Sequence, residues 1–440
     1  MKMGDKEIII SVIVTIHNAE KYIHECMESV LSQTFFKIEI LCMDGGSTDS
    51  SPQILKEYAE KDDRIRIIND SNTSYGHKVN RGIEEAKGEY VSVLESDDMY
   101  EPFMLEKLYQ IAEQYQTDFV NADYTSFFDI NGLRFAQIVK MYPEENYDCL
   151  INYKECPERF GTIPRYWTGL FRKSYLEREK IKMNESPGAS FQDMSFRFLT
   201  SILARRAYHL HIPVYLYRID NPDSSMHDYR KTTVIADEHE FLRNELVNRN
   251  IADSYIWHNW LQWKYTDFRG NMSLLRGKYR QELLERYRKE LESDRGILDK
   301  YSAPGYSQGV LEIIGNSPET VLELVEADSA IAQEQSRQLY AFLKKTVLSG
   351  ERRIVIFGCG KIGEKLLALF RFNEDKICCL TDNSKMLWNT AKKGHIVLSP
   401  LEAVKQFPDA QYIVANKLHA DDIVEQLKLM GISEEMIVVY

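Results

Sequence analysis

The sequence predicts an α/β protein with a mainly parallel, doubly wound sheet in its N-terminal region, a helical middle region and a small second α/β unit at its C-terminus. Strand-like apolar runs alternate with amphipathic stretches over residues 8–124, which is the pattern of successive βαβ units. Residues 236–345 show helical periodicity, and near Glu351 a new strand leads into a glycine-rich turn. A chain of 440 residues, 44% of them hydrophobic, has room for two or three domains.

The first part of the chain supplies five predicted strands and the helices between them. In the first amphipathic stretch, Tyr22, Ile23, Cys26 and Val30 recur at helical spacing, so this helix has one face that can pack on the sheet. The predicted strands are Ile8–Val14, Ile38–Met43, Ile65–Ile68, Tyr90–Leu94 and Phe119–Asn121.

The pattern changes after the fifth strand. Residues 125–235 are irregular, with Pro- and Gly-marked segments typical of loops that carry site residues. In the helical region, Trp257, Trp260 and Trp263 form an i, i+3 stripe that predicts a packed helix face. Residues 264–290 carry eight basic and four acidic side chains, which indicates a solvated helix face or a weak contact with an anionic membrane surface. The predicted domains are 1–235, 236–348 and 349–440.

The composition of the chain limits the classes of function and the cellular compartments that we expect. The chain has 55 basic and 67 acidic side chains, and a net charge of −12 argues against general binding of nucleic acids. No run approaches the roughly 18–20 apolar residues of a membrane helix, and the first residues lack the features of a secretory signal. We expect a cytoplasmic protein, with peripheral contact at the inner face of the membrane as an extension. Seven cysteines without a CxxC motif predict reduced thiols, with no disulfide and no zinc.

Polar groups follow three of the predicted parallel strands, in VIVTIHNAEKYI, EILCMDGGSTDSS and GEYVSVLESDDMYEP. Ligands bind beyond the carboxyl ends of the strands in open parallel sheets. The third segment holds Glu95, Asp97 and Asp98, and like charges this close are unfavourable without a cation. The cluster therefore predicts a site for Mg²⁺ or Mn²⁺, which prefer oxygen ligands.

The ordered set HNAEKYI, DGGSTD, Asn80-Arg81-Gly82 and GEY…ESDD resembles the inverting family-2 glycosyltransferases of the GT-A nucleotide-diphospho-sugar fold, over roughly residues 8–225. The resemblance implies a nucleotide-sugar donor, with UDP as the expected nucleotide, and a divalent metal. It also implies the roles of the site residues. Thr15 and Asn18 lie near the base, Asp44 contacts the base and ribose, Asp97 binds the metal, and Glu95 lies near the ribose and the metal's waters.

Three motifs depart from the family pattern. Asp44-Gly45-Gly46-Ser47 stands where the family usually has Asp-Asp-Gly-Ser, and Glu95-Ser96-Asp97-Asp98 stands where it has Asp-x-Asp-Asp. The family's Ala-Arg-Asn is replaced by Lys78-Val79-Asn80, so the expected arginine at the diphosphate is absent. Lys78 can supply the charge, although without the bidentate fork of arginine.

A glycosyltransferase also needs a base for the acceptor hydroxyl. GASFQDMSFRFL resembles the family's acidic motif at the start of a helix, which assigns this role to Asp193, and the alternative is a helix-terminal acid without catalytic function. Some family members use a later histidine as an additional metal ligand. The matching stretch offers Asp220 or His227, and spacing alone does not choose between them.

The C-terminal unit contains Gly358, Gly360 and Gly363 in a turn between a strand and a helix, with Asp382 19 residues after the last glycine. This is the spacing of a dinucleotide-binding fingerprint. The segment also resembles small Rossmann-like domains appended to sugar-modifying enzymes. NAD(P) or a nucleotide ligand is one interpretation, and a structural or homo-oligomerising role is the other. The predicted strands are Ile354–Phe357, Ile377–Thr381, Tyr412–Ala415 and Ile437–Val439.

Together these features predict a metal-dependent inverting glycosyltransferase that moves a sugar to a glycan or lipid-linked glycan in cell-surface polysaccharide synthesis. Two alternatives remain. One is an NAD(P)-linked sugar oxidoreductase acting through the C-terminal unit, although no Tyr-x-x-x-Lys or paired Cys/His follows its glycine turn. The other is a sugar-nucleotide sensor that binds without turnover.

Overall fold

The computed structural model describes residues 7–224, 233–301, 318–348 and 352–440. Contacts divide the chain into two compact units. The first unit comprises Met1–Thr125 and Val139–Asp328, and the second comprises Ser126–Ile138 and Ser329–Tyr440. The division into three domains that was drawn from the sequence stays a prediction.

Ten strands and nine helices make up the described part of the first unit, with the β6–β7 hairpin crossing its boundary. The strands are β1 (Ile10–Ile16), β2 (Ile38–Asp44), β3 (Ile65–Asn69), β4 (Tyr90–Glu95), β5 (Met99–Tyr100), β6 (Phe119–Ile130), β7 (Leu133–Val139), β8 (Leu150–Ile151), β9 (Gly169–Arg172) and β10 (Ala207–Arg218). The helices are α1 (Ile23–Leu31), α2 (Ser51–Ala59), α3 (Tyr75–Glu85), α4 (Met104–Tyr115), α5 (Lys173–Arg178), α6 (Asp193–Ile202), α7 (Val234–Asn248), α8 (Ser254–Leu274) and α9 (Gly277–Tyr301).

The sheet brings three polar strand ends to one edge. Its strand order is β3-β2-β1-β4-β9-β6-β10-β5, and β1 to β4 run parallel. Every residue of β1 and β2 is buried, as expected for strands covered on both faces. The register pairs Ile16 with Asp44 and Thr15 with Glu95. The residues that follow β1, β2 and β4 therefore meet, and the predicted mainly parallel α/β architecture is confirmed.

Residues 125–235 are more regular than the sequence indicated. They contain β7 to β10, α5 and α6, and β6 continues to Ile130 instead of ending at Asn121. The extension was missed because buried positions of β6 carry polar side chains, Asp123 and Thr125. A polar residue at a buried strand position hides the alternation on which strand prediction depends.

The helices of the middle region pack in the first unit. Trp257 and Trp260 are buried, which confirms the predicted packed face of α8. Lys264 is also fully buried and donates hydrogen bonds to Asp294 (2.6 Å) and Glu290 (2.8 Å), so the predicted solvated face is wrong at this residue. Of the helices that the structure describes, none is both long enough and apolar enough to cross a membrane.

The second unit contains a six-stranded sheet in the order β13-β14-β12-β11-β15-β16, parallel except for the β13–β14 pair. The end of the β6–β7 hairpin belongs to this unit, since Phe135 is buried with Phe342 and Phe370. The strands are β11 (Ile354–Phe357), β12 (Ile377–Thr381), β13 (Ala391–Lys392), β14 (His395–Leu398), β15 (Gln411–Val414) and β16 (Ile437–Val439), and the helices are α10 (Pro318–Leu343, which begins in the first unit), α11 (Lys361–Leu369), α12 (Pro400–Gln406) and α13 (Ala420–Leu429).

Candidate functional site

An open cleft of about 1040 Å³ lies at the edge where β1, β2 and β4 end. Five of the residues predicted to form the site line this cleft: Thr15, Asn18, Lys78, Glu95 and Asp97. Asp44 and Asp193 were also predicted to form the site, but they are not part of the cleft wall in the described chain.

The loops after β1 and β2 are tied together by hydrogen bonds. The Asn18 backbone N–H donates to Ser47 Oγ (2.9 Å), and Asn18 Oδ1 accepts from the Thr48 backbone N–H (2.8 Å). Asp44 is 4% exposed, and its Oδ1 accepts from the Ser47 backbone N–H (3.0 Å) and from Ser47 Oγ (2.7 Å). Asp44 therefore orders the loop that carries Ser47 and Thr48.

The altered motifs at residues 45 and 78 are connected in space. Lys78 is buried, and a Cβ atom added to Gly45 would lie closer than 3.0 Å to Lys78 Nζ. Burial lowers the pKa of Lys78, while the nearby carboxylates of Asp44 and Asp70 oppose that shift. The glycine that replaces the family's second aspartate thus leaves the space that the lysine ammonium occupies.

Three carboxylates crowd the end of β4. Oxygens of Glu95, Asp97 and Asp98 lie within 4.8 Å of one another. Burial and the neighbouring Asp97 charge raise the pKa of Glu95 to about 7, and the same causes hold the pKa of Asp98 well above its usual range. Asp98 is buried and already accepts from Tyr215 OH and from the Arg218 backbone N–H, both at 2.8 Å. Asp98 is therefore a structural acceptor, and Glu95 and Asp97 face the cleft.

Residues at and just after the end of β10 hold Asp97 in position. Asn221 Nδ2 donates to Asp97 Oδ2 (2.7 Å), and Arg218 Nε donates to the Asp97 carbonyl (3.2 Å). Asp220 instead lies 3.4 Å from Arg218 Nη1 and does not line the cleft. His227, the other sequence candidate for an additional metal ligand, lies outside the described residues. The sequence did not indicate Asn221, although this residue lies between the two candidates Asp220 and His227.

A chain of phenol groups supports Glu95. Tyr166 OH donates to Glu95 Oε1, Tyr75 OH lies 2.5 Å from Tyr166 OH, and Thr15 hydrogen-bonds to Tyr75. Tyr166 is 3% exposed. Sequence reasoning missed both tyrosines, because a buried tyrosine in an irregular segment is usually part of the core.

Asp193 is the first residue of α6. Its Oδ2 lies 3.1 Å from Arg197 Nη1, one helical turn further along, and Arg197 Nε donates to the Pro164 carbonyl (2.8 Å). The side chain of Asp193 is 21% exposed, and its charge contributes to the raised pKa of Glu95 after burial and Asp97. Asp193 is thus a fixed carboxylate near the cluster, and its catalytic role stays a prediction.

The carboxylates fit a hard divalent cation. Glu95 and Asp97 offer oxygen ligands at the cleft wall, and their mutual repulsion is the kind that a bound cation relieves. No cysteine or histidine belongs to this cluster among the described residues, which favours Mg²⁺ or Mn²⁺ over a softer metal.

The glycine turn of the second unit is closed by its own acidic residue. Asp382 Oδ2 accepts from the Cys359 backbone N–H and Oδ1 from the Ser384 backbone N–H, both at 2.9 Å. A Cβ at Gly363 would lie closer than 3.0 Å to the Gly358 carbonyl oxygen, so the third glycine is required by packing. One carboxylate oxygen of Asp382 therefore holds the glycine turn, and the other holds the residues that follow Asp382. Nucleotide binding and a Rossmann-like identity for this unit stay predictions.

Comparison with known proteins gives two family matches and several relatives. Residues 11–178 match the model for glycosyl transferase family 2, and residues 350–438 match a family described as C2185-like, N-terminal. EpsH of Bacillus subtilis, a glycosyltransferase by name, is 33% identical over 216 residues, which are 48% of this chain and 60% of EpsH. Glycosyltransferase GlyG of Streptococcus pneumoniae is 38% identical over 125 residues, 28% of this chain and 42% of GlyG.

Solved structures give a more distant likeness. The structure of Staphylococcus aureus TarS residues 1–349 in complex with UDP is 20% identical, with a TM-score of 0.40, and covers 67% of this chain and 91% of TarS 1–349. The chain spans 60% or less of the length of EpsH and GlyG. Residues 11–178, which contain the strand ends that build the cleft, are thus similar to glycosyltransferase family 2.

Proposed function

We propose that the protein is a metal-dependent, inverting glycosyltransferase that moves a sugar from a nucleotide-sugar donor to a glycan or lipid-linked glycan acceptor. The observation that carries the proposal is the juxtaposition of Glu95 and Asp97 with Lys78 in one cleft at the carboxyl edge of a parallel sheet. A diphosphate needs cations and hydrogen-bond donors, and this cleft offers a buried ammonium and a pair of metal-type ligands.

The donor nucleotide would lie against the loops after β1 and β2. By resemblance to the family, Thr15 and Asn18 contact the base, and Asp44 contacts the base and ribose. The hydrogen bonds of Asn18 with Ser47 and with Thr48 support this assignment, because they pre-order the two loops before a ligand arrives. UDP is the expected nucleotide on the same resemblance.

Asp97 and Glu95 would hold the divalent metal. When bound, the ion supplies positive charge that stabilises the leaving nucleoside diphosphate. The protein's own contribution is to fix these carboxylates: Asn221 orients Asp97, and Tyr166 orients Glu95. Lys78 adds a cation for phosphate oxygens in a site shielded from solvent, where a charge acts more strongly than in water.

Asp193 would act as the general base. It would take the proton of the acceptor hydroxyl while the oxygen attacks the anomeric carbon from the face opposite the nucleotide, so that the configuration inverts. The contact with Arg197 fixes the orientation of this carboxylate at the start of α6. Cell-surface polysaccharide assembly remains a prediction from the family resemblance. Peripheral membrane contact remains a prediction from the basic excess of residues 264–290, and homo-oligomerisation remains one from the C-terminal unit.

The proposal is tested by incubating the purified chain with UDP-, GDP-, CMP- and dTDP-sugars and Mn²⁺ or Mg²⁺, and measuring nucleotide release. We expect release from one donor class with the wild type and loss of release with Asp97→Asn. Binding of a nucleotide without any release or transfer across the donors and acceptors tested would favour the sensor interpretation. No nucleotide binding would refute the proposal.

A further inference from the structure

A second cavity of about 400 Å³ lies in the first unit. One wall of this cavity, called here the α8 cavity, is a single face of α8. The α8 residues that line it are Asn259, Gln262, Trp263, Thr266 and Asp267, which follow the i, i+3, i+4, i+7, i+8 spacing of one helix side. Four of the five are polar, whereas a buried face of this spacing is usually apolar.

The polar groups of this wall are only partly satisfied by the protein. Asn259 is 7% exposed, and its Nδ2 has no hydrogen-bond partner among the described residues. An unpartnered buried amide is costly, so this group lacks an acceptor that the described residues do not supply. Asp267 accepts from His239 through Oδ2 (3.2 Å), and the exposed Gln262 and Thr266 line the same cavity.

Two arginines of the cavity wall are linked to residues of the proposed reaction site. Arg197 lines the cavity and pairs with Asp193, the proposed base. Arg165 also lines the cavity and directly precedes Tyr166, which donates to Glu95. Two residues of the cavity wall are therefore linked, by an ion pair and by the chain itself, to residues proposed to act in the reaction.

The chemistry of the wall indicates the class of ligand. Amides, a hydroxyl, a carboxylate and two guanidinium groups offer both donors and acceptors, as the hydroxyls of a sugar ring require. Trp263 stacks on Phe198, with 5.7 Å between ring centroids, and the Arg197 guanidinium lies 5.4 Å from the centroid of its ring, so the indole is held in one orientation at the cavity wall. A lone phosphate would not need the carboxylate of Asp267.

We propose that the α8 cavity binds a saccharide unit of the acceptor glycan, next to the unit that receives the new sugar. This inference rests on the proposed function, because it assigns the acceptor side of the same reaction. Donor binding involves none of the residues that line the α8 cavity.

Gly161 offers a position from which a larger side chain can be introduced at the cavity. It lines the α8 cavity, and a Cβ added there meets no atom within 4 Å. Gly270 is a matched control, since its added Cβ is equally unobstructed and it does not line the cavity. The variants Gly161→Trp, Gly270→Trp and Gln262→Ala, together with the wild type, are applied to an array of neutral and uronic-acid-containing bacterial oligosaccharides of two to four units.

We expect the wild type and Gly270→Trp to bind the same glycans, and Gly161→Trp to bind them about tenfold more weakly, the effect of losing one or two hydrogen bonds. Gln262→Ala should weaken the binding of the same glycans, and all four proteins should bind the donor nucleotide with equal affinity. Equal glycan binding by Gly161→Trp, or no glycan bound by a wild type that still binds nucleotide, would overturn this inference. Failure to bind any nucleotide would instead count against the proposed function.

Discussion

The pairing of Gly45 with Lys78 makes a sharp prediction for Gly45→Ala. Gly45 does not have the left-handed backbone conformation that favours glycine, so alanine is compatible with its backbone. The added Cβ meets the Lys78 ammonium, which must move by about 1 Å to reach ordinary contact. Because Nζ is the far end of a flexible side chain, we expect the fold to survive and the ammonium to be displaced.

The size of the effect follows from what the ammonium is proposed to do. A hydrogen bond to a charged group contributes about 1.5–3 kcal/mol, so displacement of Nζ from the donor phosphates should weaken nucleotide binding by about 10- to 150-fold. Lys78→Met should weaken binding to a similar extent. The double variant should be no weaker than Lys78→Met alone, since both changes remove the same contact.

Isothermal titration with the nucleoside diphosphate that binds the wild type provides the assay, with Gly270→Ala as a control at an exposed, unobstructed glycine. Thermal unfolding of each variant checks that the fold is retained. If Gly45→Ala bound the nucleotide with wild-type affinity, the role of Lys78 would be refuted. The same holds if the losses of binding free energy in the two single variants simply added in the double variant.

Three further outcomes are expected. Asp193→Asn keeps the contact with Arg197 sterically possible but removes the base, so transfer measured by product mass should fall by about 10²- to 10⁴-fold with donor affinity unchanged. Burial lowers the pKa of His209 from 6.5 to about 3 in the folded protein. As the pH falls, this histidine is therefore protonated in the unfolded chain before it is protonated in the folded one. Between pH 7 and pH 5 the wild type should therefore lose about 2 kcal/mol more unfolding free energy than His209→Phe in chemical denaturation. Lys264→Met leaves Asp294 buried without its cation and should cost about 3–5 kcal/mol in the same assay, whereas the exposed Lys289→Met should cost little. Parallel pH profiles for His209→Phe and wild type, or equal stability of the two lysine variants, would contradict these accounts.

The sequence predicted the parallel part of the sheet and the cleft residues that follow its strands. Buried strands such as β1 and β2 are continuous apolar runs, so their ends are easy to locate, and parallel connection brings those ends together. This is why the polar segments that follow these strands, including the carboxylate cluster with Asp97, were placed at one edge without a structure, whereas Thr15 and Asn18 were named through the family resemblance.

Residues that act through tertiary contacts were not predictable in the same way. Tyr166 and Asn221 lie 71 and 124 positions from the carboxylates they contact, in segments without periodicity. The buried Lys264 was assigned to a solvated face, because a local excess of charge does not reveal its partners 26 and 30 positions away. Spacing also could not show that the carboxylate of Asp98 already accepts hydrogen bonds from Tyr215 OH and from the Arg218 backbone N–H.

The central claim is that Glu95 and Asp97 form a metal site that holds the donor diphosphate. It is tested most directly by titrating UDP, GDP, CDP and dTDP into the wild type and Asp97→Asn, each with and without Mn²⁺. We predict that Mn²⁺ strengthens the binding of one of these nucleotides to the wild type by about tenfold or more and leaves binding to Asp97→Asn unchanged. The same affinity for every nucleotide with and without Mn²⁺ in the wild type would contradict the claim.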